Sequence, residues 1–133
     1  MKIGINASFL RKPDTGIGQV TRGFVDKLTE NHSDENEYFL YLEKDIELKL
    51  PKNFHKCVFL PAWKRDDLIR KIWWEKFLLP RRAKRDKCDV FLSLYQCPTF
   101  LPKNIRHKML VHDLIPKIFP EYLNNWRKYF YFF

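Results

Sequence analysis

Short apolar runs alternate with segments of helical period along this chain, and few folds tolerate that rhythm. Lys2 to Ala7 (KIGINA) reads as a first strand, short and partly β-branched. Lys12-Pro13-Asp14 signals a turn, and Asp14 or Thr15 then caps a helix. Val20, Phe24 and Leu28 stand at i, i+4 and i+8 and predict one apolar stripe on that helix, which Asn31 to Asp34 ends. Tyr38 to Leu42 (YFLYL) is a continuous apolar run, as in a strand covered on both faces. Val58, Phe59 and Leu60 form a third short strand before Pro61. Asp66 to Leu79 sets Ile69, Ile72, Trp73 and Phe77 on one side of a second helix, which Pro80 kinks or ends. Asp89 to Leu94 (DVFLSL) and His107 to His112 (HKMLVH) are a fourth and fifth strand. Glu121 to Phe133 starts a further helix. Strands alternating with helices predict an α/β fold: a Rossmann-like parallel sheet whose right-handed crossovers put helices on both faces. Such sheets bind ligands beyond the carboxyl ends of their strands. Here those ends are the loop after Ala7, the segment after Leu94, and His112-Asp113.

Composition narrows the partners. The 133 residues suit one domain, and a 45% hydrophobic share argues for a packed core over disorder. The net charge of +9 suits an acidic partner: nucleic acid, anionic lipid or a phosphorylated ligand. The competing explanation is a lysine-rich surface that simply stays hydrated. Cys57, Cys88 and Cys97 have no CxxC spacing and an odd count, so reduced thiols are expected, with no disulfide framework and no zinc site. The first residues hold no apolar run of signal-peptide length, and no run approaches a membrane span, so a cytoplasmic location is expected.

Two constellations carry chemistry. Gly16-Ile17-Gly18 precedes a helix, where backbone N–H groups favour an anion. The dinucleotide fingerprint needs a third glycine at position 21, where Thr21 stands, and no GK[ST] follows, so NAD binding and nucleotide hydrolysis are disfavoured. The plain alternative is that these glycines only shape a loop. His112 ends the fifth strand at the ligand edge, where its ring suits a phosphate or sugar oxygen and Asp113 could orient it. The alternative there is a satisfied histidine whose Asp113 caps a turn before Pro116. A separate reading takes Arg81 to Lys87, beside Trp73 and Trp74, as a basic non-enzymatic module for membrane or nucleic acid. No nucleic-acid recognition motif accompanies it.

Three stretches carry a family resemblance: KIGINASFL…TGIGQVTRGF, DVFLSLYQCPTFLP and VHDLIPKIFPEYL. They resemble the group-1 (family 4) glycosyltransferases, which have two Rossmann-like domains (the GT-B fold). The likeness is nearest to bacterial mannosyltransferases of surface polysaccharide assembly and runs from Met1 to about Trp126. It implies that residues 1–133 are an incomplete, N-terminal, acceptor-side domain, with the C-terminal nucleotide-sugar domain absent. The implied activity is retaining transfer of a mannose-like hexose from a nucleotide sugar to a polysaccharide or lipid-linked acceptor, with no cofactor and no metal. By the same resemblance, the loop of Gly16, Ile17 and Gly18 lies near the donor diphosphate and the acceptor. The position of His112 touches the transferred sugar, with Asp113 its neighbour in the motif. Asn6 stands where related sequences often carry Asp, which leaves it a hydrogen-bonding role toward the loop. Alone, the chain is expected to be inactive. Peripheral association with the inner membrane face suits a lipid-linked acceptor, and the aromatic end YFYFF (129–133) is expected to promote self-association.

Overall fold

In the computed structural model, which describes residues 1–60, 67–97 and 99–126, five strands form one all-parallel sheet. They are β1 (Lys2–Asn6), β2 (Glu37–Leu42), β3 (Phe54–Val58), β4 (Val90–Ser93) and β5 (Arg106–Met109), in the order β3-β2-β1-β4-β5. The expected Rossmann-like α/β fold is therefore present. The chain winds outward from β1 to β3 and then returns to the other side of β1 for β4 and β5. The direction reverses between β1 and β4, which is the topological switch point of this sheet.

Alternation along the strands feeds two cores. Ile5 on β1 and Leu40 and Leu42 on β2 turn to one face, where they meet Val25 of helix α1 (Gly16–Glu30). Tyr41 and Phe91 turn to the other, where they meet Trp74, Leu79 and Ala83 of a long helical segment. Helices thus cover both faces. Gly4 of β1 points toward the second face, and a Cβ there would lie 2.9 Å from the Tyr41 ring and 3.0 Å from both Cys88 Sγ and the Phe91 ring. The missing side chain lets two stacked aromatic rings, 6.0 Å apart, close over the central strand.

Both helices bury a different face from the one the apolar spacing suggests. On α1 the buried residues are Gly18, Thr21 and Val25, whereas Val20 is 41% and Phe24 36% exposed. The stripe turns because the helix must approach the preceding turn closely, and only small side chains permit that. The second helix runs as α2 (Asp67–Trp73), a π-helical turn (Trp74–Leu78) and α3 (Leu79–Arg85). Trp74 and Glu75 are buried there, whereas Ile69, Trp73 and Phe77 are exposed. Pro80 does not end this helix. The π turn just ahead of it sends the Leu79 amide to the carbonyl of Trp74, and the backbone accommodates the proline ring without a break in the helix.

Strand limits also shift. β3 covers Phe54–Val58, so only Val58 of the expected Val58–Leu60 strand belongs to it. Its middle residues His55 and Lys56 are polar because it is an edge strand with an exposed face. β5 ends at Met109, three residues before His112. Of the helix expected from Glu121, the described residues show a 3-10 turn at Pro120–Leu123 and helix only at Trp126; residues 127–133, with the YFYFF end, lie outside the described residues. All three cysteines are free and buried. Among the described residues, no helix is long and apolar enough to cross a membrane.

His107 on β5 meets Ser93 Oγ at 2.8 Å through Nε2, and burial pushes its pKa below the ordinary 6.5. The folded chain therefore resists a proton that the unfolded chain accepts, and stability is lost as pH falls below about 6.5. His107→Gln should flatten that part of the stability profile when parent and variant are unfolded in urea between pH 7 and 5. An unchanged slope would show that His107 takes no part. The opposite contribution of Glu75, whose pKa is raised by burial, cancels in the comparison.

Candidate functional site

The switch point is floored by a buried polar chain. Asn6 ends β1 and is fully buried. Its Nδ2 donates to Tyr95 Oη at 2.9 Å and to Cys97 Sγ at 3.6 Å, and its Oδ1 accepts from the Ser8 amide at 3.2 Å. Tyr95 and Cys97 follow β4, so these bonds span the crevice between β1 and β4. Tyr95 Oη donates its one proton to Glu75 Oε1 at 2.5 Å, so Ser8 Oγ, 3.2 Å away, must donate to Tyr95 in turn. Lys71 Nζ stands 3.7 Å from Glu75 Oε1 and lies 4.8 Å above the Phe9 ring.

The electrostatics follow from burial. Glu75 is 2% exposed, and desolvation raises its carboxyl pKa, with Lys71 and the Tyr95 hydroxyl pulling it back. Desolvation likewise lowers the Lys71 ammonium, with Glu75 opposing. Tyr95 is pushed well above the usual phenol range by burial, and Cys97 upward also, so neither is a ready nucleophile or base. The arrangement acts as a fixed floor, in which Asn6 and Ser8 donate to Tyr95 and Tyr95 donates to the Glu75 carboxylate. Asn6 spends its polar atoms inside it. An Asp at this position has no amide proton to give Tyr95 and would add a negative charge near Glu75.

His112 follows β5 and packs at the carboxyl end of β4, its Nε2 lying 2.8 Å from the carbonyl of Leu94. A carbonyl only accepts, so Nε2 carries the proton. In the neutral ring Nδ1 is then an acceptor, suited to a sugar hydroxyl; only the imidazolium would donate from Nδ1 to a phosphate. Asp113 Oδ1 accepts the Ile115 amide and closes the turn that leads into the short helix α4 (Ile115–Ile118). Both features of the plain alternative are present, a satisfied ring nitrogen and a capping carboxylate.

Gly16, Ile17 and Gly18 open α1 at the same carboxyl edge, after the 3-10 turn Ser8–Arg11. Thr15 is the cap: its Oγ1 accepts the Gly18 amide at 3.1 Å and donates to the Lys12 carbonyl at 2.9 Å. A Cβ on Gly18 would fall 1.9 Å from that carbonyl oxygen, whereas one on Gly16 meets nothing within 4 Å. Gly18 is thus required by close packing, and its amide is already bonded. The expected site residues fall in three places along the carboxyl edge: Asn6 in the buried chain with Tyr95 and Cys97, His112 on the carbonyl of Leu94 just after β4, and Gly16–Gly18 at the turn that carries Arg11 and Lys12.

Sequence reading missed Glu75, Lys71 and Tyr95. The signal was a single carboxylate inside the apolar stretch WWEKF, where an unpaired charge is costly. Among the described residues, no group of three or more His, Cys, Asp or Glu side chains is arranged to hold a metal. Compared with known proteins, the chain matches no family model, no curated protein and no solved structure.

Proposed function

We propose that this chain is the acceptor-side domain of a retaining glycosyltransferase, moving a mannose-like hexose from a nucleotide sugar to a polysaccharide or lipid-linked acceptor. The observation that carries the reading is the bond from His112 to Leu94, which holds an imidazole acceptor at the carboxyl end of β4 in a doubly wound parallel sheet. The motif stretches around Gly16–Gly18, Tyr95 and His112 support it, since all three reach the carboxyl edge. In this reading His112 contacts the sugar, Asp113 sets the turn that presents it, and Asn6 with Tyr95 fixes the crevice floor. Catalysis needs donor and acceptor held together, so residues 1–133 alone should bind saccharide ligands without turning over nucleotide sugars.

The test is NMR titration with hexose phosphates, nucleotide sugars and NAD. The His112 ring resonances should move with sugar ligands, and His112→Ala should weaken binding about tenfold, the scale of one hydrogen bond to a charged or polar group. Saturable NAD binding with no response to sugars would sink the reading. The basic-module alternative is weakened by Trp74, which is wholly buried, stacks on Phe59 at 5.3 Å and donates Nε1 to the Phe59 carbonyl at 3.0 Å. It presents no face to a base or a lipid.

A further inference from the structure

On the other side of the carboxyl edge, beyond β1, β2 and β3, lies a cleft of about 370 Å³ lined by Arg11, Lys12, Glu43, Lys44, Leu60 and Arg70. Four of these six are cationic. Glu43 follows β2 directly and is only 4% exposed. Its Oε2 is held by Arg11 Nε at 3.0 Å, with Arg70 Nη2 at 3.9 Å. Its Oε1 is buried and has no hydrogen-bond partner among the described residues. Lys12 and Lys44 are exposed at the rim, and no carboxylate pairs with either among the described residues.

This pairing is unusual for a structural ion pair. Glu43 pairs with Arg11, and Lys12 and Lys44 at the rim add two positive charges that no carboxylate among the described residues balances. The surplus suits a doubly charged anion. A buried carboxylate oxygen without a donor costs free energy that a hydroxyl would relieve. A simple anion cannot supply that hydroxyl, and a neutral sugar cannot use the cations. We infer that the cleft binds a phosphorylated polyol, with the phosphate taken by Lys12, Lys44 and the two arginines and a hydroxyl donating to Glu43 Oε1. The close packing of Gly18 on the Lys12 carbonyl sets the turn from which Arg11 and Lys12 reach the cleft. The inference rests on this cleft and not on the glycosyltransferase reading.

Glycerol 1-phosphate, inorganic phosphate and glycerol serve as probes, titrated into the chain by calorimetry, alongside vesicles of phosphatidylglycerol and of phosphatidylcholine. Glycerol 1-phosphate should bind about tenfold tighter than inorganic phosphate, reflecting the added hydroxyl contact with a charged group. Glycerol alone should not bind. The double substitution Lys12→Ala and Lys44→Ala removes two exposed side chains, so folding is kept, and should weaken both phosphates about tenfold or more. Glu43→Gln should tighten inorganic phosphate and narrow the gap between the two ligands, because the like charge is gone. If phosphatidylglycerol vesicles bind and soluble glycerol 1-phosphate displaces them, the headgroup of a lipid is the source. If only the soluble ester binds, the source is a free metabolite. Absence of saturable binding to any phosphate, or binding that ignores the lysine substitutions, overturns the proposal. A failed titration here with His112 still responding to sugars would leave the glycosyl reading intact, and the converse holds.

Discussion

Gly18→Ala is expected to destabilise the chain by about 3 kcal/mol, at the upper end of the cost of overpacking. The added methyl would sit 1.9 Å from the Lys12 carbonyl oxygen, which is backbone and cannot rotate away. That oxygen also accepts Thr15 Oγ1 at 2.9 Å, so moving it breaks the cap of α1 as well. Gly16→Ala, two residues earlier, meets open space and should be neutral or stabilising by up to about 1 kcal/mol, since alanine favours helix and restricts the unfolded chain. Urea unfolding of both variants at unchanged m-value separates the two. Equal stability of the pair would refute the packing account of the glycine loop. The same substitution at Gly18 should also weaken phosphate at the Arg11–Lys12 cleft, because the turn that carries those residues must shift.

The second large effect is expected at Trp74. Trp74→Ala should cost about 3–5 kcal/mol, the range for emptying a buried aromatic site. The indole is fully buried beside Leu79 and Ala83, stacks on Phe59, and satisfies the Phe59 carbonyl. Truncation leaves both a cavity and an orphaned carbonyl. Trp73→Ala, at the neighbour that is 37% exposed, should cost much less. Thermal unfolding of the two variants decides the matter: if Trp73 proves the costlier loss, the helix packs with its other face. Trp74→Ala should further disturb the crevice floor, because Glu75 follows it in the same π turn and would lose its fixed approach to Tyr95.

The adjacent tryptophans show where sequence reading reaches its limit. Helical spacing placed Trp73 on the buried side, in register with Ile69 and Phe77. The three do share a face, with the Trp73 and Phe77 rings 4.6 Å apart, but that face is exposed, and it is Trp74 and Glu75 that turn inward. On α1 the misleading feature was different. Val20, Phe24 and Leu28 form a clean apolar stripe, yet Gly18 turns inward because only a glycine fits against the Lys12 carbonyl, and Thr21 and Val25 follow on the same face. On α1 close approach outweighed hydrophobicity; on the second helix apolar residues stand on two faces, and the packing of Trp74 against Phe59 selects the buried one.

The strands were easier to read. YFLYL and DVFLSL are apolar on both faces because helices cover both faces, and that pattern survives without knowledge of any partner. The edge strand β3 was misplaced because its exposed face carries His55 and Lys56 and shows no apolar run. Of the candidate site, His112 and the glycine loop were visible as motifs, whereas the Glu75–Tyr95–Asn6 chain and the Glu43 cleft were not. Each of these joins residues far apart in sequence, Asn6 with Tyr95 and Arg11 with Glu43.

The sequence by itself determined the class of fold, because the alternation of strand and helix periods is local and each period reflects which sides of an element meet apolar neighbours. Only the tertiary structure decided which helical faces turn inward, which amides are already bonded, and which charges share a cleft. Those outcomes depend on distances of a few ångströms between segments that the chain order keeps apart, and the strand order β3-β2-β1-β4-β5 brings the segments together.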